Sequence, residues 1–554
     1  MNDFVEYLNG LHNYYAQNQN AYGEKNIKSP YYSKTMVPID VCEFISASID
    51  KNEPHIIILT GHAGDGKTSI MFQVIDKLGG TASFEERVQE VNSKKGETIC
   101  CIKDFSELPD SERLKILSEI VQYPKQGKFV FMVANTGPLI NTFSELFTEE
   151  KERDAASMAL IDAMDTNDGI IKDITGFKML IINVASIANT GFAAQYIKKI
   201  IEPDLWTSCH TCSKKHYCHI LRNRNIIGEN LDRVTEFIEN FYIWLNEYGT
   251  RLTIRSMTEH IAYMLTGGDE CDSVNPIEPH RMLFSNLFFG YEGITPNPLA
   301  DNVLAVRVAK ETRIFSRRLR SDEELLIRRN YKNLFGQTIT EIIEGVDNKT
   351  KIKKEFDDEL RRMYLFMSIA SEEKHQKDIE DSFSKQFLPY LSVRNGKIKP
   401  TKYQKNLVVD ALRMIYLGTV ISDNDMIPVT MGTEEGITQN VQLIAGKINA
   451  GELDLISKDD ATLNKGLKNL VLRIKKKEVC KVTLPMVNHF EELGKGVLAT
   501  DLDPQLSYGI ENLKSRLLEL ADIDDDQFDY LILKNKGFEK KSIVIENGRI
   551  IIMQ

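Results

Sequence analysis

The stretch IIILTGHAGDGKTSIMFQVI spans residues 56–75 and joins three patterns that together predict an α/β fold with a phosphate-binding loop. The apolar run 56–59 is typical of a buried strand in a parallel sheet. The run 69–75 has the composition of a helix. The segment between them fits G-x-x-x-x-G-K-[ST], a loop whose backbone N–H groups surround the phosphates of a nucleotide. The predicted nucleotide-binding residues are Gly61, His62, Ala63, Gly64, Asp65, Gly66, Lys67, Thr68 and Ser69.

The residue types in this loop suit a magnesium nucleoside triphosphate. Glycines allow the positive φ angles that bring the backbone close to phosphate oxygens. Lys67 would neutralise the β- and γ-phosphates, and the Thr68 hydroxyl would reach Mg²⁺. The following helix directs its N-terminal amides and its dipole at an anion. A chance glycine-rich turn is the alternative, but the strand before and the helix after it favour the nucleotide loop, and ATP is the expected ligand.

Length and composition limit the class of protein. The 554 residues predict three or four domains, and the net charge of −11 means that any nucleic-acid contact must be local. The first residues are polar and acidic and no apolar run reaches 18 residues, so we expect neither a signal peptide nor a membrane span. Eight cysteines, three of them clustered, fit a reducing cytoplasm.

Alternating strand and helix patterns predict a parallel sheet covered by helices on both faces. Further apolar strands are expected at 98–102, 129–134 and 179–184, and the pattern becomes mostly helical after 228. The sequence therefore predicts an N-terminal helical segment (1–38), a nucleotide-binding core (39–227), a helical lid and helical domain (228–424) and a C-terminal α+β domain (425–554). The last domain closes with an expected hairpin turn at Asn547-Gly548.

Polar residues that could hydrolyse a nucleotide follow two of the expected strands. Asp104 ends the strand 98–102, where ligands gather in open α/β sheets, and is the candidate to support Mg²⁺. Glu107 is the candidate to orient the attacking water, although the usual adjacent Asp-Glu pair is here separated by two residues. Asn135 ends the next strand, where many ATPases of the AAA superfamily place the residue that senses the γ-phosphate. An acidic loop and a turn-forming asparagine are the structural alternatives.

A cysteine-rich segment at 206–219 predicts a structural metal site. Cys209 and Cys212 have the C-x-x-C spacing that lets two thiolates bind one tetrahedral metal, and Cys218 is a third candidate ligand. The fourth ligand would be Cys271 or one of His210, His216 and His219. Zinc is the leading expectation, and an iron–sulfur cluster or a reduced cluster without metal are the alternatives.

Two basic segments could meet phosphates. The run from Lys465 to Lys481 carries seven basic residues and one acid, which fits either a DNA-contacting face or a strand edge guarded by lysines. The arginines between 313 and 331 alternate with acids and predict i,i+4 surface pairs on a helix, with one arginine available as a finger acting in trans.

The ordered set of motifs resembles the DptF-type ATPases of bacterial DNA phosphorothioation-dependent restriction systems and their relatives. The set comprises the loop 61–68, Lys103-Asp104-Phe105-Ser106-Glu107, Ala134-Asn135-Thr136-Gly137, the cysteine segment, Arg251-Leu252-Thr253-Ile254-Arg255 and Thr266-Gly267-Gly268 before Cys271. The resemblance covers residues 45–275. It departs from the family where His219, rather than proline, follows Cys218.

The resemblance implies a P-loop NTPase core of the AAA-like type and an ATPase that works with other subunits of an anti-phage defence complex. DNA would be met through the complex, no membrane contact is implied, and a homo-oligomer is possible. The family also implies that Arg255 lies in the helical lid and faces the nucleotide. A nucleotide-gated signalling or scaffold protein with little turnover is the alternative function, and a small-molecule kinase is a weaker one.

Overall fold

The structure is a computed structural model that describes residues 2–12, 26–81, 86–346, 353–369, 372–418, 425–430, 441–460, 463–464, 466–497, 502–523, 527–534, 537–546 and 549–553. Contacts divide the chain into two compact units. The first comprises Met1–Asn246, Arg251–Ser382 and Ala461–Lys465, and the second comprises Glu247–Thr250, Phe383–Asp460 and Gly466–Gln554. The four-part division expected from the sequence stays a prediction. In the described part of the chain, no helix is long and apolar enough to cross a bilayer.

The first unit is α/β, with a six-stranded sheet in the order β2-β3-β4-β1-β6-β5. The four central strands β3, β4, β1 and β6 run parallel, as the sequence predicts. The strand β4 lies between β1 and β3, so the chain passes from β1 to β3, returns to β4 and then crosses to β6 on the other side of β1. The strands are β1 Ile56–Thr60, β2 Val88–Asn92, β3 Thr98–Ile102, β4 Lys128–Val133, β5 Lys172–Ile174 and β6 Phe177–Asn183.

The two edge strands make the sheet mixed rather than purely parallel. The strand β2 pairs antiparallel with β3, and β5 pairs antiparallel with β6. A two-residue turn joins β5 to β6 through Thr175 and Gly176, whose φ angles of 51° and 87° suit a tight hairpin. Both edges are therefore hairpins formed with the adjacent strand, which requires no crossover helix.

Successive side chains of β1 point to opposite faces of the sheet and so belong to two hydrophobic cores. Ile57 and Leu59 face one layer, which includes the helices Asp40–Lys51 and Lys67–Lys77. Ile56 and Ile58 face the other layer, which includes the helices Asp110–Ile120, Thr136–Ser144 and Glu150–Thr166. Every residue of β1 is buried, as expected for a central strand covered on both faces.

The remainder of the first unit is mostly helical. The region 313–331, expected to be one helix with i,i+4 pairs, instead contains a short 3₁₀ helix at Ile314–Ser316 and a short π-helix at Glu323–Ile327. Its pairs join more distant positions, as in Arg320 with Asp381. The helices of this part are Asp3–Asn9, Tyr32–Thr35, Phe192–Ile200, His219–Glu229, Leu231–Glu247, Ile254–Thr266, Phe284–Leu287, Leu304–Thr312, Tyr331–Glu344, Lys353–Met367 and Glu372–Phe383, with a small hairpin of β7 Tyr291–Glu292 and β8 Thr295–Pro296.

The second unit is α+β in its described residues. Two antiparallel sheets have the orders β16-β15-β14-β10-β9 and β11-β12-β13. The expected closing hairpin is present as the pairing of β15 with β16, although its turn residues Asn547 and Gly548 lie outside the described residues. The strands are β9 Met426–Thr430, β10 Val441–Asn449, β11 Leu453–Asp459, β12 Lys468–Ile474, β13 Lys477–Lys481, β14 Gln527–Lys534, β15 Gly537–Glu546 and β16 Arg549–Met553, and the helices are Phe387–Arg394, Lys402–Leu417, Leu484–Gly494 and Pro504–Leu520.

Candidate functional site

The glycine-rich loop joins β1 to the helix Lys67–Lys77, as the sequence predicts. Gly66 occupies the N-cap position with φ 84°, a left-handed conformation that a glycine adopts without strain. Gly64 has φ 89°, and a Cβ there would lie 2.9 Å from Thr253 Oγ1. The loop is therefore closely packed on one side and leaves the amides of the helix N-terminus for a ligand.

Lys67 lies at the start of this helix with its ammonium group turned into the loop. Its Nζ donates to the carbonyl oxygens of Gly61 and His62 at 3.0 and 2.7 Å, and to Asn135 Oδ1 at 3.2 Å. Burial lowers the pKa of Lys67 and nearby Arg255 lowers it further, whereas the carboxylates of Asp65 and Asp104 act in the opposite direction. A buried cation that rests on neutral oxygens is suited to bind an anion.

A segment 186 positions further along the chain holds the loop in shape. Arg251 Nη1 donates to Asp65 Oδ1 at 2.6 Å, and the Asp65 side chain has no exposed surface. Asp65 Oδ2 accepts the His62 N–H at 2.8 Å, and Arg251 Nη2 reaches the Val184 carbonyl at 3.2 Å. The Arg255 N–H donates to the Gly64 carbonyl at 3.1 Å. The loop conformation thus depends on the segment 251–255 as well as on its own glycines.

The polar residues after β3 and β4 meet beside the loop. Asp104 has φ 49°, an uncommon value for a residue other than glycine, which turns the chain sharply after β3. Ser106 Oγ accepts the Asn135 N–H at 2.6 Å and so ties the ends of the two strands together. Arg113 Nη1 donates to the Ser106 carbonyl at 3.3 Å and supports the same turn. The side chains of Glu107 and Asn135 are exposed.

Most of the loop and the residues after β3 and β4 line one cavity of about 290 Å³, close to the lower end of the range of ligand pockets. Gly61, His62 and Asp65 of the predicted set do not line it and instead shape the loop behind it. The predicted residues that do line the cavity are Ala63, Gly64, Gly66, Lys67, Thr68, Ser69, Asp104, Glu107, Asn135 and Arg255.

The cavity continues past the loop into an aromatic region that the sequence did not indicate. Tyr7 and Tyr32 come from the N-terminal segment, and Phe192 and Tyr196 stack on each other with ring centroids 5.7 Å apart. Gln73 lines the same region and exchanges hydrogen bonds with the backbone of Val37 and Ile39. No sequence motif marks these residues, because they come from separate segments that only the fold brings together.

The four predicted cysteine ligands lie in one neighbourhood. Cys209 interacts with Cys212 and Cys271, and Cys218 interacts with Cys209 and Cys271, closely enough for their charges to influence each other. Burial raises the pKa of the Cys209 and Cys218 thiols, and the neighbouring thiols raise it further. Lys214 Nζ joins the two segments by donating to the carbonyl oxygens of Cys271 and Asp272 at 3.3 and 2.7 Å.

The histidines offered as alternative ligands have other positions. His219 is buried and its Nε2 lies 3.0 Å from the Thr266 carbonyl oxygen, whereas His210 and His216 are exposed. Within the described residues, no group of three or more His, Cys, Asp or Glu side chains is arranged to hold a metal ion. The donor set of four gathered thiols fits the Cys₄ type of zinc site in composition, though not in coordination geometry.

Ion pairs neutralise much of the basic segment of the second unit. Lys468, Arg473, Lys475 and Lys481 pair with Asp459, Asp454, Asp522 and Asp460, respectively. Lys477 and Lys481 lie on β13, an edge strand of the three-stranded sheet. The arrangement favours the strand edge guarded by lysines over a continuous phosphate-binding face.

Comparisons of the chain with protein-family models, with curated proteins and with solved structures found no match.

Proposed function

We propose that the cavity binds a magnesium nucleoside triphosphate, with ATP as the expected ligand, and that the protein hydrolyses it. The observation that carries the proposal is the position of Lys67, whose Nζ rests on two loop carbonyls and on Asn135 Oδ1 at the mouth of a cavity that also includes Asp104 and Glu107. A triphosphate would replace these neutral oxygens with charged ones, which bind an ammonium group more strongly.

The sheet order supports a P-loop NTPase core of the AAA-like type. Because β3, β4 and β1 are adjacent and parallel, the residues that follow these three strands lie at the same end of the sheet. At that end lie the loop after β1, Asn135 after β4 and Asp104 after β3. A loop for phosphates, a polar side chain for the terminal phosphate and a carboxylate for a metal are the three parts that nucleotide hydrolysis needs.

We assign roles within this arrangement by chemistry and position. Thr68 and Asp104 would hold Mg²⁺, which supplies positive charge for the phosphate oxygens. Glu107, whose side chain is exposed at the cavity, would orient the attacking water. Asn135 and Arg255 would contact the γ-phosphate. The aromatic region with Tyr7 and Phe192 would receive the base, because it lines the same cavity as the phosphate loop and its rings can pack against a planar base.

The biological role follows from the resemblance to DptF-type ATPases alone. We propose an ATPase subunit of a bacterial anti-phage restriction complex, with partner proteins and DNA met through that complex. The ion pairs within the basic segment support weak DNA binding by the isolated chain. Cys209, Cys212, Cys218 and Cys271 would hold a structural zinc, with an iron–sulfur cluster as the alternative.

Lys67→Ala tests the nucleotide site, and Lys77→Ala is a matched control. Both lysines lie on one helix, but Lys77 is in its last turn and pairs with Glu43 at the surface. Calorimetry should show at least a roughly tenfold loss of ATP affinity for Lys67→Ala, because a charge-assisted contact is lost, and none for Lys77→Ala. Equal ATP affinity in the two variants would remove the phosphate-loop assignment.

Turnover separates the ATPase from a nucleotide-gated scaffold. Phosphate release that rises on addition of DNA or co-purifying proteins is expected of the ATPase. Tight ATP binding with no release under any of these conditions favours the scaffold. Phage that plate equally on hosts carrying wild-type protein and Lys67→Ala, in an otherwise active system, would exclude the defence role.

A further inference from the structure

The turn that follows β6, here called the β6 turn (184–188), packs against the start of the phosphate loop. Gly61 is the first residue of the loop, and a Cβ added to it would lie 3.0 Å from the Ala185 backbone nitrogen. That distance is shorter than an ordinary van der Waals contact, so the loop and the turn approach each other as closely as a glycine allows. Lys67 Nζ donates to the carbonyl oxygen of the same Gly61 at 3.0 Å. A displacement of the turn would therefore move an oxygen that positions Lys67.

The β6 turn also binds the arginine that holds the loop in shape. Arg251 Nη2 donates to the carbonyl oxygens of Val184 and Ile187 at 3.2 and 3.4 Å. The other terminal nitrogen of Arg251 donates to the buried carboxylate of Asp65 in the loop. One guanidinium group thus joins the turn to the loop, and the position of the turn determines where that group can lie.

A residue from a distant part of the chain holds the β6 turn in place. Asn464 Oδ1 accepts the Ala188 N–H at 2.9 Å, and Asn464 Nδ2 donates to the Ser186 carbonyl oxygen at 3.1 Å. Asn464 is buried, and the adjacent Leu463 belongs to the same hydrophobic core as the helix Lys67–Lys77. Because the carboxamide of Asn464 both donates and accepts, it fixes the turn at two backbone positions.

Asn464 lies in the connection from β11 to β12. Both of these strands belong to the second unit, whereas the segment Ala461–Lys465 belongs to the first. The part of the chain after residue 425, for which the sequence predicts a separate domain, therefore contributes a buried residue beside the phosphate loop.

We propose that Asn464 is a positioning residue for the nucleotide site. It does not line the cavity and acts through the β6 turn, which places Arg251 and the Gly61 carbonyl oxygen. A nucleotide that requires this loop conformation stabilises the hydrogen bonds of Asn464, and these hydrogen bonds in turn favour nucleotide binding. The connection from β11 to β12 is thereby linked to the occupancy of the site. The proposal rests on the proposed nucleotide-binding function and adds a residue that the loop motif does not contain.

Asn464→Ala tests the proposal with two ligands, ATP and inorganic tripolyphosphate. The substitution removes both side-chain hydrogen bonds to the β6 turn. Since Asn464 positions the phosphate loop, calorimetry should show the same loss of affinity for the two ligands, about three- to tenfold, which is the size expected for one or two hydrogen bonds. If Asn464→Ala does not fold, Asn464→Asp keeps an acceptor for the Ala188 N–H, loses the donor to Ser186 and should also weaken both ligands.

Asn297→Ala is the matched control for a loss of stability alone. Asn297 is also buried, donates to the Tyr263 hydroxyl at 2.9 Å and accepts the Leu299 N–H at 3.0 Å. None of these three residues lines the cavity. Asn297→Ala should therefore be less stable than the wild type in urea but bind ATP and tripolyphosphate with unchanged affinity.

Hydrogen exchange of the full chain measures the reciprocal effect. ATP should slow exchange of the Ala188 N–H, which donates to Asn464, by the same three- to tenfold factor, and Asn464→Ala should lose most of this protection. Ala188 exchange that ATP does not change would overturn the proposal. Unchanged affinity of Asn464→Ala for both ligands, or a loss for ATP but not for tripolyphosphate, would overturn it as well. A wild-type protein that binds neither ligand would instead remove the proposed function.

Discussion

Replacement of Arg251 by methionine tests whether the phosphate loop is held in shape from outside. The change keeps much of the aliphatic stem and removes the guanidinium that donates to Asp65 Oδ1 at 2.6 Å. The Asp65 carboxylate has no exposed surface and would keep its hydrogen bond from the His62 N–H. Removal of one member of a buried ion pair costs about 3–5 kcal/mol, and Arg251 is partly exposed, so we expect about 3 kcal/mol.

This free energy divides between folding and binding. Whatever the free loop recovers by relaxing around Asp65 must be returned when a nucleotide binds. Complete relaxation would convert about 3 kcal/mol into roughly a hundredfold weaker ATP binding, and half of it into roughly tenfold. Calorimetry with ATP and urea unfolding of the same samples measure the two parts. Arg328→Met, which removes a surface pair with Glu323, is the control and should change neither quantity appreciably.

A double variant decides whether the pair itself is responsible. Arg251→Met with Asp65→Asn removes the buried Asp65 charge together with its Arg251 partner, so about 2 kcal/mol of the stability lost in Arg251→Met should return. Wild-type ATP affinity and stability in the single variant would refute the reasoning. Strictly additive effects of the two substitutions would refute it as well, because additivity means that the side chains do not interact.

Further predictions concern hydrolysis, the metal and pH. Glu107→Gln should bind ATP like the wild type in calorimetry but release phosphate at least about a hundredfold more slowly. Normal phosphate release by this variant would place the water-orienting role elsewhere. Asp104→Asn should need a higher Mg²⁺ concentration for phosphate release. Elemental analysis should find one zinc per chain, lost in Cys212→Ser and kept in Cys480→Ser. Visible absorption would indicate an iron–sulfur cluster instead. If neither zinc nor iron is found, the segment contains reduced thiols without a metal. Burial raises the pKa of Glu359 to about 7 from its ordinary 4.5, so the folded protein retains a proton that the unfolded chain has lost, and stability falls as pH rises from about 4.5 to 7. Glu359→Gln should therefore be more stable than the wild type in urea at pH 8, by on the order of 1–3 kcal/mol, and similar to it near pH 4.5; a difference independent of pH would exclude this cause.

The centre of the sheet was predictable because its strands carry their own signal. The apolar run at 98–102 coincides with β3, and the run at 56–59 lies within β1, since strands covered on both faces are apolar at every position. The edge strands gave no such signal. Val88–Asn92 has two valines separated by two polar residues, and Lys172–Ile174 has three residues, so each depends on a neighbouring strand to form.

The residues of the candidate site also fall into two groups, those with a local sequence signal and those that only the fold brings together. Lys67 and Thr68 were recognisable because adjacent residues form the loop, and Asp104 and Asn135 because they follow strands. Arg251 carried no local signal for its role, which exists only where it meets Asp65 from a distant part of the chain. The aromatic region also depended on the fold, because side chains such as Tyr7 and Tyr196 come from different segments. The expectation of one helix with i,i+4 pairs over 313–331 was wrong, because charge spacing alone does not distinguish a continuous α-helix from separate short 3₁₀ and π-helices.

If the proposed nucleotide binds, the hydrogen bond between Lys67 and Asn135 would let the pocket distinguish a triphosphate from a diphosphate. The Lys67 ammonium group donates to the Asn135 amide oxygen. The terminal group of a triphosphate would compete with Asn135 for the ammonium group. A diphosphate lacks that group, so the hydrogen bond between the two side chains would form again. Product release and the return of the hydrogen bond between Lys67 and Asn135 would then occur together. The hydrogen bond from the Asn135 N–H to Ser106 Oγ would couple this change to the turn that carries Glu107.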